Sequence, residues 1–165
     1  MTQVAVGLGS NVGARQEHLE TAIAEMASCG RVAAVSSLYE TAPLGIVDQA
    51  PFLNAVSLVL VDREPRDVLA TLQAIERAHG RRRGRRWGPR PLDLDVLLFG
   101  NRRVDEPGLT VPHPRMTERR FVLDPLLEVW PDAKLPDGTL LAGLAASVAD
   151  QDVRVVATDW LEASA

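Results

Sequence analysis

The order in which hydrophobic periodicity changes along the chain constrains its fold more than any other feature. Val4–Gly9 is a short apolar run that closes on glycines and reads as a buried strand. Ala14–Ala27 places Leu19, Ile23 and Met26 at helical spacing, with Gly30 as the stop. Val32–Tyr39 carries β-branched residues and reads as a strand. Thr41–Pro51 holds Pro43, Gly45, Asp48 and Pro51 and reads as a loop. In Phe52–Val61, Val56, Leu58 and Leu60 alternate with Ala55, Ser57 and Val59, a strong strand pattern. Glu64–His79 returns to helical spacing through Val68, Leu69, Leu72, Ile75 and Glu76, with Pro65 suited to the first turn and Gly80 to the end. Leu92–Phe99 is a strand with Leu92, Leu94, Val96 and Leu98 on one face and Asp93, Asp95 and Leu97 on the other. Gly100-Asn101 reads as a hairpin turn into Arg102–Val104, and Arg120–Val129 and Leu140–Val148 read as short helices.

This βαββαβ order predicts an α+β, ferredoxin-like sandwich with helices on one face and additional short helices. A chain of 165 residues suits one domain, with residues 136–165 as a helical segment and tail. A single cysteine, Cys29, excludes an internal disulfide framework and a cysteine-based zinc finger. No uncharged apolar run approaches the ~18 residues of a membrane span. The start, Met-Thr-Gln-Val-Ala-Val, lacks a basic segment and a long apolar one, so a cytoplasmic location is expected rather than secretion.

Charge is unevenly spread. The net charge of −4 argues against a general nucleic-acid binder, yet residues 76–120 hold 12 arginines against 6 acidic residues. Six of the arginines, Arg81, Arg82, Arg83, Arg85, Arg86 and Arg90, fall in a segment, Gly80–Pro91, that has no hydrophobic periodicity. Such a run reads first as a solvated, mobile loop. It could also serve as a nucleic-acid tail or a polyphosphate site, because the guanidinium fork matches phosphate oxygens bidentately. Its neighbour decides. Period-two geometry puts Asp93 and Asp95 on one strand face, about 7 Å apart, a placement that favours an intervening cation. Magnesium prefers carboxylate oxygens together with substrate phosphates. Phosphate ligands beside magnesium ligands are the parts of a phosphoryl-transfer site. Hydrated acids on a solvent face are the alternative.

Other signals are weaker. Gly7-Leu8-Gly9-Ser10-Asn11-Val12-Gly13 reads as a tight strand-to-helix turn, with a phosphate cradle as the second reading. His113 lies between two prolines in Val111-Pro112-His113-Pro114, and spacing does not separate a structural from a functional role. His18 and His79 read as structural residues on exposed helix positions. Phe52 and Phe121 read as core residues by default, or as a pair that sandwiches a flat heterocycle. Trp87 sits in the polar loop, where its indole could anchor a closed state.

The run Arg86-Trp87-Gly88-Pro89-Arg90-Pro91-Leu92-Asp93-Leu94-Asp95-Val96-Leu97-Leu98-Phe99-Gly100 resembles the signature of the 6-hydroxymethyl-7,8-dihydropterin pyrophosphokinases of folate biosynthesis. Gly9-Ser10-Asn11, Ser36–Thr41 with Pro43-Leu44-Gly45, Phe52–Ala55, Leu109–His113 and Arg119–Leu123 follow in that family's order, so the resemblance spans residues 3–135. It implies pyrophosphoryl transfer from ATP to the pterin hydroxymethyl group, with release of AMP. Asp93 and Asp95 would hold two magnesium ions, and Arg81, Arg83 and Arg90 would join them as catalytic residues. Gln73, Glu76, Arg83, Arg86, Arg90, Val96, Thr110 and His113 match ATP-binding positions. Thr41, Ala42, Leu44, Phe52, Asn54, Trp87, Arg119 and Phe121 match the pterin side. The loop is one residue shorter than in a familiar member, which leaves Arg81, Arg82 and Arg83 as alternatives for the same roles. Gly108 stands where some members place an arginine near ATP, and Phe52 replaces a tyrosine. The implied partners are ATP and a reduced pterin, with no nucleic acid, no membrane and a monomeric chain. The arginine-rich loop would close over both substrates and its motion would limit turnover.

Two other classes compete with this reading. An RNA-binding module would need stacking aromatics on central strands, whereas the expected face bears Asp93 and Asp95, which repel phosphate. An inactive relative would keep the fold without turnover.

Overall fold

The computed structural model describes residues 1–41, 51–80 and 91–161. Eight strands and three α-helices follow in the order β1 (Thr2–Ser10), α1 (Arg15–Glu25), β2 (Arg31–Val35), β3 (Leu38–Thr41), β4 (Phe52–Val61), α2 (Pro65–Ala78), β5 (Asp93–Phe99), β6 (Val104–Glu106), β7 (Leu109–Val111), α3 (Arg120–Val129) and β8 (Val153–Ala157). The main sheet has the order β5-β1-β4-β3-β8, with β2 also paired to β4. Every pairing is antiparallel. Strand β4 therefore lies between β1 and the β2–β3 segment, and β1 between β4 and β5, the interleaving that the βαββαβ order predicts.

Four local readings need correction. The strand expected at Val32–Tyr39 is broken into β2 and β3 at Ser36-Ser37. Ser36 donates its N–H to the Val56 carbonyl at 2.9 Å and accepts the Val56 N–H on its hydroxyl at 2.9 Å, which bends the strand against β4. The turn at Gly100-Asn101 forms, but β6 does not pair with β5; it pairs with β7 in a separate two-stranded sheet. Residues 153–157, expected within a helical segment and tail, form β8 and extend the main sheet through β3. Leu140–Val148 holds a 3-10 helix over Leu141–Val148.

Helices cover both faces of the sheet, not one. Leu19, Ala22 and Ile23 of α1 and Val68, Leu72 and Ile75 of α2 pack on Val4, Val6, Leu8, Leu94 and Val96. On the opposite face, Val122, Leu123 and Leu126 of α3 pack with Leu141 on Ala5, Val56, Leu58, Leu97 and Leu98. Each buried valine, leucine or isoleucine among them stabilises the fold by about 1.5–3 kcal/mol. Leu98 lies on the α3 face, against the simple alternation expected for β5. Val6 pairs with Val96 but Ala5 pairs with Leu98, so Leu97 is an extra, bulged residue. The bulge moves Leu98 to the α3 side and returns Phe99 to the α1–α2 core.

His18 and His79 are not solvated helix residues. Their Nδ1 atoms are 2.8 Å apart, and His79 Nε2 lies 3.0 Å from Glu25 Oε1. An ionised Glu25 only accepts, so His79 Nε2 carries a proton. With His79 neutral, His18 donates from Nδ1. The ring pair thus ties the start of α1 to the end of α2 and tolerates no more than one extra proton between the facing nitrogens. Burial lowers the pKa of His18, the His79 charge lowers it further, and Glu17 opposes both. The folded value lies below the unfolded one, so this contact stabilises the fold above about pH 6.5 and its contribution fades as pH falls below that. Thermal melts between pH 7.5 and 5.5 are expected to lose stability more steeply in the wild type than in His18→Gln. Equal pH slopes would remove His18 from the account.

Candidate active site

The site is built on cross-strand register. Residues directly opposed in neighbouring strands share a face of the sheet. Tyr39 opposes Asn54, Asn54 opposes Gly9, and Gly9 opposes Asp93. These four residues form one row across β3, β4, β1 and β5 on the α3 face. In the neighbouring row Val56 opposes Gly7, and Gly7 opposes Asp95. Phe52 lies two residues before Asn54 and so shares that face. Gly7 and Gly9 lie at the end of β1, as the apolar run predicts, and the turn expected over Gly7–Gly13 is confined to the residues after Ser10; the two glycines leave bare backbone between the acids and β4. A Cβ on Gly9 would lie 3.2 Å from Asn54 Oδ1 and 3.6 Å from Phe52 Cδ1. Asn54 is 5% exposed and its amide nitrogen has no hydrogen-bond partner among the described residues. A buried donor of this kind, beside a strip without side chains, suits a ligand that accepts hydrogen bonds.

Buried Glu76 of α2 holds the outer edge of β5. Its Oε2 accepts the N–H of Leu94, the residue between the two aspartates, at 2.8 Å. The bulge holds a second element: the Leu97 carbonyl accepts the His113 N–H at 3.0 Å. His113 Nδ1 accepts the Arg115 N–H at 3.2 Å, so a neutral ring carries its proton on Nε2, which lies 4.0 Å from Asp95 Oδ2. Burial lowers the His113 pKa, and Arg119 and Arg115 lower it further against Asp93. Half-buried Arg119 is held below its ordinary value by desolvation, opposed by the charges of Asp95 and Asp93. Its guanidinium carbon sits 5.4 Å from the Phe121 ring centroid, a cation–π contact at the start of α3.

The structure thus brings Asp93, Asp95, Phe52, Asn54, Arg119, Phe121 and His113 to one face and one end of the sheet. Glu76 reaches the same strand from its edge. Thr41 closes β3 opposite Phe52. Gln73 is exposed on α2, and Thr110 is exposed on β7. The Val96 side chain lies in the α1–α2 core, so only its backbone can meet a ligand. Ala42, Leu44, Arg81, Arg82, Arg83, Arg86, Trp87 and Arg90, with the expected loop closure, lie outside the described residues. The two rows also hold residues not expected at the site: Gly7 and Gly9, expected as the glycine end of a strand, and Tyr39. The alternation of Ala5, Gly7 and Gly9 with Val4, Val6 and Leu8 was the available signal.

The donor set fits magnesium. Asp93 and Asp95 offer hard carboxylate oxygens on one face, and the glycines leave room for a phosphate-bearing ligand. No group of three or more metal-ligating side chains occurs among the described residues. Magnesium does not require one, because one or two carboxylates plus substrate phosphates suffice.

Residues 5–131 match the 7,8-dihydro-6-hydroxymethylpterin-pyrophosphokinase family. The chain belongs to this family. Among its relatives, the 2-amino-4-hydroxy-6-hydroxymethyldihydropteridine pyrophosphokinase of Pseudomonas aeruginosa is 47% identical over 147 residues, covering 88% of this chain and 91% of the relative. The Bacillus subtilis enzyme of the same name is 46% identical over 126 residues, 75% of each chain. A mitochondrial folate synthesis bifunctional protein of Arabidopsis thaliana is 44% identical over 128 residues, 77% of this chain but 23% of that protein. Solved structures share the fold. An HPPK-DHPS in complex with substrates superposes with a TM-score of 0.71 at 13% identity, covering 88% of this chain and 43% of that one. Plasmodium falciparum HPPK-DHPS with pteroate gives 0.69 at 16% identity, covering 88% and 42%. The chain therefore spans under half the length of these solved proteins. No helix among the described residues is long and apolar enough to cross a membrane.

Proposed function

We propose that this chain is an ATP-dependent pyrophosphokinase that transfers the terminal pyrophosphoryl group of ATP to the hydroxymethyl oxygen of 6-hydroxymethyl-7,8-dihydropterin and releases AMP. The observation that carries this reading is the row in which Asp93, bare Gly9 and the unpartnered amide of Asn54 share one face, with Asp95 alongside. One end of the row suits cation-bound phosphates and the middle suits a hydrogen-bonding heterocycle. Phe52 supplies an aromatic wall on β4 and Phe121 one on α3. Asn54 would donate to the pterin edge and fix its orientation, which places the hydroxymethyl group towards Asp93 and Asp95. Thr41, Ala42, Leu44 and Trp87 are proposed to complete the pterin side, on the sequence resemblance alone.

Magnesium held by Asp93 and Asp95 would offset phosphate charge and polarise the phosphoryl oxygens. Glu76 keeps those two carboxylates on a fixed strand edge. Neutral His113, with its proton on Nε2, can donate to a phosphate oxygen, and Arg119 is proposed for the pterin side beside Phe121. Arg81, Arg83, Arg86 and Arg90 are proposed for the remaining phosphate charge, and Gln73, Val96 and Thr110 for the nucleotide. Positioning and charge compensation account for most of such catalysis, so no covalent intermediate with the protein is required.

Product analysis tests the assignment. Incubation with ATP, magnesium and 6-hydroxymethyl-7,8-dihydropterin is expected to yield AMP only when the pterin is present, and excess chelator is expected to stop it. ADP in place of AMP would overturn the reaction class. Folded protein without turnover would favour an inactive relative.

A further inference from the structure

We propose that Glu128 is a positioning residue for the pterin side of the site, holding α3 so that Phe121 and Arg119 stand over the row of Asp93, Gly9 and Asn54. The inference rests on the pyrophosphokinase reading above. Glu128 lies in the last turn of α3 and is itself exposed. Its carboxylate nevertheless accepts four hydrogen bonds from two residues at the β2–β3 bend. The Ser37 N–H donates to both oxygens, at 3.1 and 2.9 Å, and the Ser37 hydroxyl donates to Oε2 at 2.9 Å. The Tyr39 hydroxyl donates to Oε1 at 2.6 Å. Burial, and then the bond to Glu128, pushes the Tyr39 phenol up, so it stays a donor. Ser37 and Tyr39 are buried and Ser36 is bonded into β4, so the carboxylate grips a rigid bend.

Tyr39 is the far end of the row that begins at Asp93. Three strand spacings make that row roughly 14 Å long. Nine residues of helix, from Arg119 to Glu128, rise by about 14 Å. The helix thus matches the row, with Arg119 within electrostatic reach of Asp95 and Asp93 at one end and Glu128 bound to Tyr39 at the other. Phe121 and Glu128 are two turns apart and share a side of α3. Intrinsic helix rigidity does not fix Phe121 by itself. Pro125 has no N–H to donate to the Phe121 carbonyl, and α3 has no side-chain cap at its N-terminus. Tertiary ties take over: Gln151 accepts the Arg120 N–H at 2.8 Å at one end, and Glu128 closes the other.

The test uses Glu128→Gln, Tyr39→Phe and the double variant, each checked for folding by circular dichroism and thermal melting. Glu128→Gln presents an amide to the donors it must accept; Tyr39→Phe keeps the packing and removes one donor. Each is expected to raise the KM for 6-hydroxymethyl-7,8-dihydropterin by about 5- to 10-fold and to leave the KM for ATP unchanged within error. The double variant is expected to be no worse than the larger single one, because both break the same contact. An unchanged pterin KM, or equal rises in both KM values, would overturn the proposal. Wild-type protein that forms no pterin-dependent AMP would overturn the pyrophosphokinase reading instead, a result visible before any variant is made.

Discussion

Asp95→Asn is expected to lose turnover by about a thousandfold or more, while its circular dichroism stays that of the wild type. Asp95 would act through the magnesium it helps to hold: losing a cation that offsets charge on a transferring phosphoryl group costs several kcal/mol of transition-state stabilisation, and each 1.36 kcal/mol is about tenfold in rate. The side chain is nearly isosteric, and Leu94 stays bonded to Glu76. Initial rates of AMP formation across a magnesium titration separate a lost cation site from a weakened one, since a weakened site recovers at high magnesium. Normal turnover at ordinary magnesium would remove Asp95 from the reaction.

Asn54→Leu is expected to separate stability from function. The Asn54 amide nitrogen is buried without a partner among the described residues, and such a donor costs about 1–3 kcal/mol in the folded state. Leucine has similar size and no polar atom, so the variant is expected to melt at the same temperature or higher. Its kcat/KM for the pterin is expected to fall by about a hundredfold or more, because a pocket built to hydrogen-bond its ligand discriminates strongly on that bond. A lower melting temperature would mean the amide serves the fold. An unchanged kcat/KM would take Asn54 out of the pocket.

Much of this was legible in the sequence, and the failures have physical causes. Phe52–Val61 and Pro65–Ala78 show clean periods of 2 and 3.6, because each packs steadily against neighbours along its length. Asp93 and Asp95 were visible because two charges interrupt an apolar strand at period two. What escaped depends on partners distant in sequence. The break at Ser36-Ser37 is imposed by β4, and nothing within Val32–Tyr39 marks it. Strand β8 forms because β3 offers an edge, and its segment is too short to declare a period. His18 and His79 looked exposed on their own helices, and only the packing of α1 against the end of α2 brings the rings together. Asn54 was matched by family resemblance, but the reason it matters, a buried donor with no partner, exists only in three dimensions.

The bulge at Leu97 settles a conflict of parity in β5. Phe99 is anchored in the core under α1 and α2, while Asp93 and Asp95 point to the other side of the sheet. Phe99 follows Asp95 by an even step, so strict alternation would put both on one face, and one extra residue reconciles the two demands. Deleting Leu97 alone would leave an odd step and a regular ladder, with Phe99 and both carboxylates on their present faces. What the deletion would remove is the buried Leu97 side chain and the carbonyl that accepts the His113 N–H. The loss is therefore expected to be felt at His113 and in the α3 core, while the facing of the strand is kept.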